Sequence, residues 1–311
     1  MTSIPRLSVE SLREHTSSGK LWRAEADGAR YAVGIGAQKC ATSWLFAALA
    51  GHRDVAVPPE KELDFFSYAH DRGHAWYRRQ WSAGGLRTEV SPSYLHDPRA
   101  PARLAQFAPG ARILVMLRHP VDRAYSHHLH EIARGHIPAQ PFAAALADNP
   151  DYLEQGYYGR HLENWRTAFP IERFCILFAE DVARDPAAAW ARVGDFLDLS
   201  GPAPAAVAAR QNISDRARSV RLRQALRGGG AALRRLGLER ELMAMKRLPG
   251  LRHLRQWNDR ALRAEVPPLT PAERAELIRV FDLDVAQLSV LFPGLTPPWP
   301  DLLSAPLRRP A

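Results

Sequence analysis

Three short stretches carry residue types that could do chemistry on a phosphate-bearing molecule. The first is GIGAQKCATSW, Gly34 to Trp44, where an apolar run gives way to a helical pattern. Backbone N–H groups at a helix start, helped by the helix dipole, hold phosphate, and Lys39 with Thr42 and Ser43 adds a cation and two hydroxyl donors. The glycines let the chain approach a ligand closely. The stretch is not a Walker A loop, because Lys39 lacks a preceding glycine and is followed by Cys40 where the magnesium-binding hydroxyl would stand. Its plain alternative is a generic strand-turn-helix with a surface lysine.

The second stretch is LRHPVDRAYSHHLHE, Leu117 to Glu131, which follows the apolar run ARILVML. Arg118 falls at the carboxyl end of that strand, and Ser126 lies eight residues on, in a helix opened by Pro120. In open α/β sheets the ligand crevice lies beyond the carboxyl ends of the strands, so both stretches face one crevice. There an arginine fork and a serine hydroxyl suit a second phosphate. The competing use of Arg118 is an ion pair with Asp122 at the helix start. The third stretch is PPEKELDFFS, Pro58 to Ser67, with Lys61 and Glu62 ahead of Phe65 and Phe66. A carboxylate beside apolar rings is desolvated, its pKa rises, and it becomes a better base; Lys-Glu is also ordinary surface sequence. His52, His70 and His74 are alternatives for the base. His127, His128 and His130 lack the i, i+4 pair of a helical zinc site and read as helix surface or packing residues.

The elements that must position these groups alternate. Tyr31 to Gly36, Asp54 to Val57, Arg87 to Val90, Ala111 to Leu117 and Phe174 to Phe178 read as strands. Thr42 to Ala50, Pro101 to Phe107, Val121 to Arg134 and Gly159 to Ala168 read as helices between them. Apolar strands alternating with helices imply an α/β fold, a central parallel sheet flanked by helices in three layers. After Ser200 the character shifts to Pro/Ala-rich and then arginine-rich sequence, and Thr270 offers a cap with proline next and Glu273 three residues on. We expect a single domain over 1–311, with a core at about 28–200 and a helical C-terminal part at about 201–311.

The 311 residues carry a net charge of +9, concentrated in residues 210–264, which hold 15 basic and 4 acidic side chains. That stretch suits an anionic ligand or peripheral contact with an acidic membrane surface, or is simply the solvated face of arginine-rich helices. No zinc-finger, basic-zipper or RNA-binding signature points to nucleic acid. No run approaches the ~18 apolar residues of a membrane span, and the polar start MTSIPRLSVE lacks signal-peptide organisation, so the cytoplasm is expected. Two cysteines, Cys40 and Cys175, exclude a disulfide framework and a thiol zinc site.

Together the three stretches resemble the PAPS-dependent sulfotransferases (PAPS, 3′-phosphoadenosine-5′-phosphosulfate), in the branch of bacterial members related to the heparan sulfate sulfotransferase domains. GIGAQKCATSW resembles the family's 5′-phosphosulfate loop, LRHPVDRAYSHH its 3′-phosphate motif and KELDFF its base-bearing segment, in the family's order and spacing. TEVSPSYL, GYYGRHLENW and FCILFAEDVARDP are similar to further family blocks, so the resemblance spans about residues 30 to 200. RQNISDRARS resembles the later loop that closes over the nucleotide.

The resemblance implies a P-loop-like fold and in-line transfer of a sulfuryl group without a metal. Lys39, Cys40, Ala41, Thr42, Ser43 and Trp44 would hold the 5′-phosphosulfate, with Lys39 also neutralising the leaving oxygen. Arg118 and Ser126 would clamp the 3′-phosphate, with Arg218 and Ser219 assisting. Glu62 would be the general base. Lys61, Glu89, Tyr94 and Tyr158 are candidates to contact the acceptor, a saccharide, glycolipid or small metabolite sulfated on a hydroxyl or amine. Two departures stand out. Many members have glycine where this chain has Ala41, tolerable at negative φ. Heparan-type enzymes often carry lysine where this chain has Val90, which weakens a heparan-like acceptor. Two competing functions are an ATP- and magnesium-dependent phosphotransferase and a non-catalytic nucleotide-binding protein.

Overall fold

The computed structural model describes residues 29–81, 84–209 and 266–302. Strands β1 (Arg30–Gly36), β2 (Val55–Ala56), β3 (Leu86–Val90), β4 (Arg112–Leu117) and β5 (Phe174–Phe178) form one sheet. Its order is β2-β3-β1-β4-β5, every pair parallel. Strands covered on both faces are largely apolar, and β4, with Arg112 followed by five apolar residues, is buried at all six positions. The chain runs from β1 outward to β2 and back through β3, then crosses β1 to reach β4. That reversal is the switch point at which a ligand crevice opens.

Helices α1 (Thr42–Ala50), α2 (Gly73–Arg78), α3 (Ala100–Phe107), α4 (Pro120–Arg134), α5 (Phe142–Asp148), α6 (Asp151–Glu154) and α7 (Tyr158–Ala168) follow in turn. They are joined by α8 (Ala179–Arg184), α9 (Pro186–Leu197), α10 (Ala205–Ala208) and a C-terminal α11 (Pro271–Leu291). α11 begins with the full capping box anticipated at Thr270, whose hydroxyl accepts from the Glu273 N–H while the Glu273 carboxylate accepts from the Thr270 N–H. It is fastened to the core by polar contacts. Asp284 accepts from the N–H groups of Gly159 and Arg160 at 2.8 and 2.9 Å, satisfying donors at the start of α7, and Arg274 pairs with Asp122 of α4 at 2.7 Å.

Three loops meet at the carboxyl ends of the central strands. After β3 the Ser91 N–H donates to Gly34 O at 2.9 Å and Leu95 N–H to Ile35 O at 2.8 Å. After β1 the Ala37 N–H donates to Met116 O of β4 at 2.6 Å. The crevice floor is thus stitched by backbone bonds across the switch point. Among the described residues no helix is long and apolar enough to cross a membrane. The basic stretch at 210–264 lies outside the described residues.

Candidate functional site

Gly36 sits at φ 132°, and a Cβ there would come within 2.7 Å of the Pro92 carbonyl, so only glycine passes beneath the β3 loop. The chain then turns with Lys39 at φ 70° and Ala41 at φ 61°. Left-handed residues alternating with ordinary ones point successive N–H groups into one hollow, an anion-binding nest, and α1 starts immediately behind it. Strain of this kind gathers at ligand clamps. Ala41 does not keep the negative φ that would make alanine comfortable; the position has the backbone of a glycine.

Three side chains at or against this turn are buried in the fold. Cys40 is fully buried, its sulfur 3.6 Å from the Tyr158 hydroxyl, and burial pushes its thiol up to about 11. It remains a neutral packing group, and only its backbone serves the nest. Trp44 is 3% exposed and its indole N–H donates to Val207 O of α10 at 3.1 Å, so its role is to anchor α1 and not to touch nucleotide. Tyr158, expected in the acceptor cleft, is 0% exposed and its hydroxyl donates to Arg118 O at 2.9 Å. It couples the nest to the start of α4.

The second stretch lies beside the nest. Arg118 is half-buried and its Nη1 stands 3.4 Å from Lys39 O. Asp122 is paired with Arg274, which leaves the helix-start ion pair with Arg118 unmade. Ser126 is buried one helical face further along α4. His127 and His128 are packed inside; burial, with Arg123 and Lys39 adding repulsion, drives His127 down to about 3. Arg123, which the sequence reading passed over, is 0% exposed.

In the third stretch the expected desolvation of Glu62 is not found. Phe65 and Phe66 turn into the core against Tyr77 and Phe107, while the Glu62 side chain is 47% exposed and ion-paired with Lys61. His70 and His74 pack on the Phe65 ring, and His52 accepts from the Asp54 N–H. The desolvated carboxylates are others. Asp64, at φ 51°, has its pKa raised by burial and by the charge of Glu62, and accepts from Ser93 Oγ at 2.6 Å. Glu89 is 0% exposed and accepts from Tyr77 Oη at 2.6 Å, Ser91 Oγ at 2.8 Å and Tyr94 Oη at 2.9 Å. Burial raises it to about 7 against those three donors.

Glu89 and Tyr94 are therefore inside the fold and cannot meet an acceptor. They act on the loop instead: Ser91, held by Glu89, accepts from the Asp64 N–H at 3.1 Å and so fixes the segment that carries Glu62. Lys39 and His96 both act on His127, and His96 Nε2 lies 3.5 Å from the hydroxyl of exposed Tyr68, which feels Asp64. Arg218 and Ser219 lie outside the described residues. The signal that could have found Arg123 and Asp64 is modest: an arginine inside the apolar face of α4, and a carboxylate two residues past Glu62.

A parallel sheet with a turn of left-handed residues after β1 and an arginine after β4 makes an α/β protein whose crevice suits phosphate groups. The family profile described as "Sulfotransferase family" matches residues 87–202, which include Arg118 and Ser126. Heparan sulfate glucosamine 3-O-sulfotransferase 6 of Mus musculus is 33% identical over 177 residues, covering 53% of this chain and 51% of that protein. Heparan sulfate glucosamine 3-O-sulfotransferase 3B1 of Homo sapiens is 34% identical over 180 residues, covering 54% and 46%. The chain thus spans about half the length of these curated relatives. In fold it is similar to a crystal structure of a sulfotransferase from Alicyclobacillus acidocaldarius, with TM-score 0.60 and 23% identity over 84% of this chain and 95% of that one. The chain is thus similar to sulfotransferases in sequence over part of its length and in fold.

Proposed function

We propose that this protein transfers a sulfuryl group from PAPS to a hydroxyl of a saccharide acceptor. The observation that carries the reading is the junction of nest and arginine: Arg118 reaches Lys39 O while Tyr158 ties both loops together. That arrangement supplies cationic and N–H donors for two phosphate groups, which fits a 3′-phosphorylated donor better than ATP. The nest, Thr42 and Ser43 hold the 5′-phosphosulfate end, and Arg118 with Ser126 holds the 3′-phosphate.

In the reaction a bond forms between the acceptor oxygen and sulfur as the bond from sulfur to the bridging phosphate oxygen breaks, the two oxygens in line. Lys39 neutralises the charge that develops on the bridging oxygen. Glu62 takes the acceptor's proton, and its exposed position leaves it within reach of an incoming hydroxyl. Adenosine 3′,5′-bisphosphate departs. The relatives are named for 3-O-sulfation of glucosamine in heparan sulfate, which favours a saccharide hydroxyl over an amine. A heparan-like polyanion is disfavoured at position 90, where the resemblance leads one to expect a lysine and this chain has a buried, uncharged Val90.

Transfer of labelled sulfate from PAPS into a panel of saccharides, glycolipids and small metabolites tests the reading. Lys39→Ala and Glu62→Gln should each remove most transfer, the latter by about 10²–10⁴-fold while bisphosphate binding stays intact. Transfer that survives Glu62→Gln and falls with Asp64→Asn would move the base to Asp64, the neighbouring carboxylate whose affinity for a proton is raised. Magnesium-dependent ATP binding without any response to the bisphosphate would sink the donor assignment.

A further inference from the structure

Arg123 lies on α4 between Arg118 and Ser126 and is entirely enclosed. Its Nη2 donates to the Tyr152 carbonyl, while among the described residues Nε and Nη1 have no hydrogen-bond partner. A buried guanidinium with two idle donors is costly, because burial strips water from a charge that arginine cannot discard. Its surroundings do not compensate. The groups nearest in electrostatic influence are Tyr158, Cys40, Asp151 and Arg118. Tyr158 and Cys40 are neutral, since burial holds both well above their ordinary values. Asp151 is exposed to solvent, and Arg118 has the same sign as Arg123.

The missing counter-charge has an evident direction. Cys40 belongs to the anion nest, and Tyr158 bonds both to Cys40 and to the Arg118 carbonyl. Arg123 thus sits beneath the junction of the two loops, the third cation there with Lys39 and Arg118.

We propose that Arg123 is the floor of the donor site, a buried cation without a counter-ion among the described residues, whose charge is balanced by the phosphate groups of bound nucleotide. The inference rests on the donor reading given above and adds a residue to it. It makes the free protein carry an electrostatic strain that nucleotide binding relieves, so affinity for the donor is raised at the expense of the empty state.

The test is Arg123→Met, which keeps the length and removes the charge, with Arg123→Lys as the charge-retaining control. Thermal melting of the free protein and calorimetry with adenosine 3′,5′-bisphosphate are measured on each. The expected result is that Arg123→Met melts no lower than the parent while its bisphosphate dissociation constant rises about tenfold or more, and that Arg123→Lys recovers part of the binding. A variant that melts several degrees lower, or fails to fold, and one that binds bisphosphate within about twofold of the parent each overturn the proposal, because the guanidinium would then be serving the empty fold. Failure of the parent to bind bisphosphate would remove the donor reading instead, and the melting comparison would still judge the strain on Arg123.

Discussion

Ala41 places a Cβ on backbone at φ 61°, where a residue other than glycine costs about 1–2 kcal/mol. Glycine would relieve that but would loosen the unfolded chain by about 0.4–1 kcal/mol. Ala41→Gly should therefore stabilise the free protein by about 0.5–1 kcal/mol in urea denaturation, with bisphosphate binding kept. A loss of stability would show that the nest does not hold this turn as described. At this scale the sequence was legible in what it brings together: Lys39 and Arg118 converge because a glycine-led turn and an apolar strand each end at the same edge of the sheet. It was misleading where aromatic type suggested exposure. Tyr94 and Tyr158 spend their hydroxyls inside, on Glu89 and on the Arg118 carbonyl, and Phe65 and Phe66 leave Glu62 in water. Burial depends on what packs opposite, and that is set by distant segments.

At the level of elements, α5, α6, α8 and α9 were not read from the sequence, although Asp185 caps α9 through the Ala188 N–H with Pro186 at the first helical position. The strands were read well because an unbroken apolar run such as Ile113 to Leu117 of β4 suits only a strand covered on both faces, whereas β2 shrinks to Val55–Ala56 at the sheet edge. The attachment of α11 could not be foreseen, since it rests on a pairing across more than 100 residues. Asp284 accepts two N–H groups at the start of α7, where the helix dipole also favours a negative charge. Burial raises its pKa, the two N–H bonds opposing. Asp284→Ala should cost about 1–3 kcal/mol by leaving those donors without a partner. Hydrogen exchange should show faster opening at Gly159 and Arg160; unchanged protection there would mean that α7 holds its own N-terminus.

The whole molecule should respond to pH through groups of opposite sign. Buried histidines have folded pKa values below their unfolded ones: His127 falls to about 3 and His161 to about 4, each mainly by burial, and His96, His119 and His128 are lowered too. For these the unfolded chain binds more protons, so stability is full above about 6.5 and is lost as pH falls toward the folded values. Glu89 runs the other way. Its folded pKa of about 7 exceeds the ordinary 4.5, so the native state holds the extra proton, and its contribution is full below 4.5 and lost as pH rises through 7. Asp64 and Asp284, also raised by burial, act in the same direction as Glu89, but between 4.5 and 6.5 the five histidines outnumber the three acids and stability falls on acidification; from about 6.5 to 7 the Glu89 contribution is still being lost and stability declines slightly on the alkaline side. An optimum near pH 6.5 to 7 is expected in denaturation profiles. Glu89→Gln should abolish the alkaline decline and steepen the acid loss, because it deletes the opposing contribution that extends to about pH 7. If the variant and parent profiles stay parallel from pH 5 to 8, Glu89 does not hold a proton in the fold, and the three hydroxyls around it must stabilise its charged form outright.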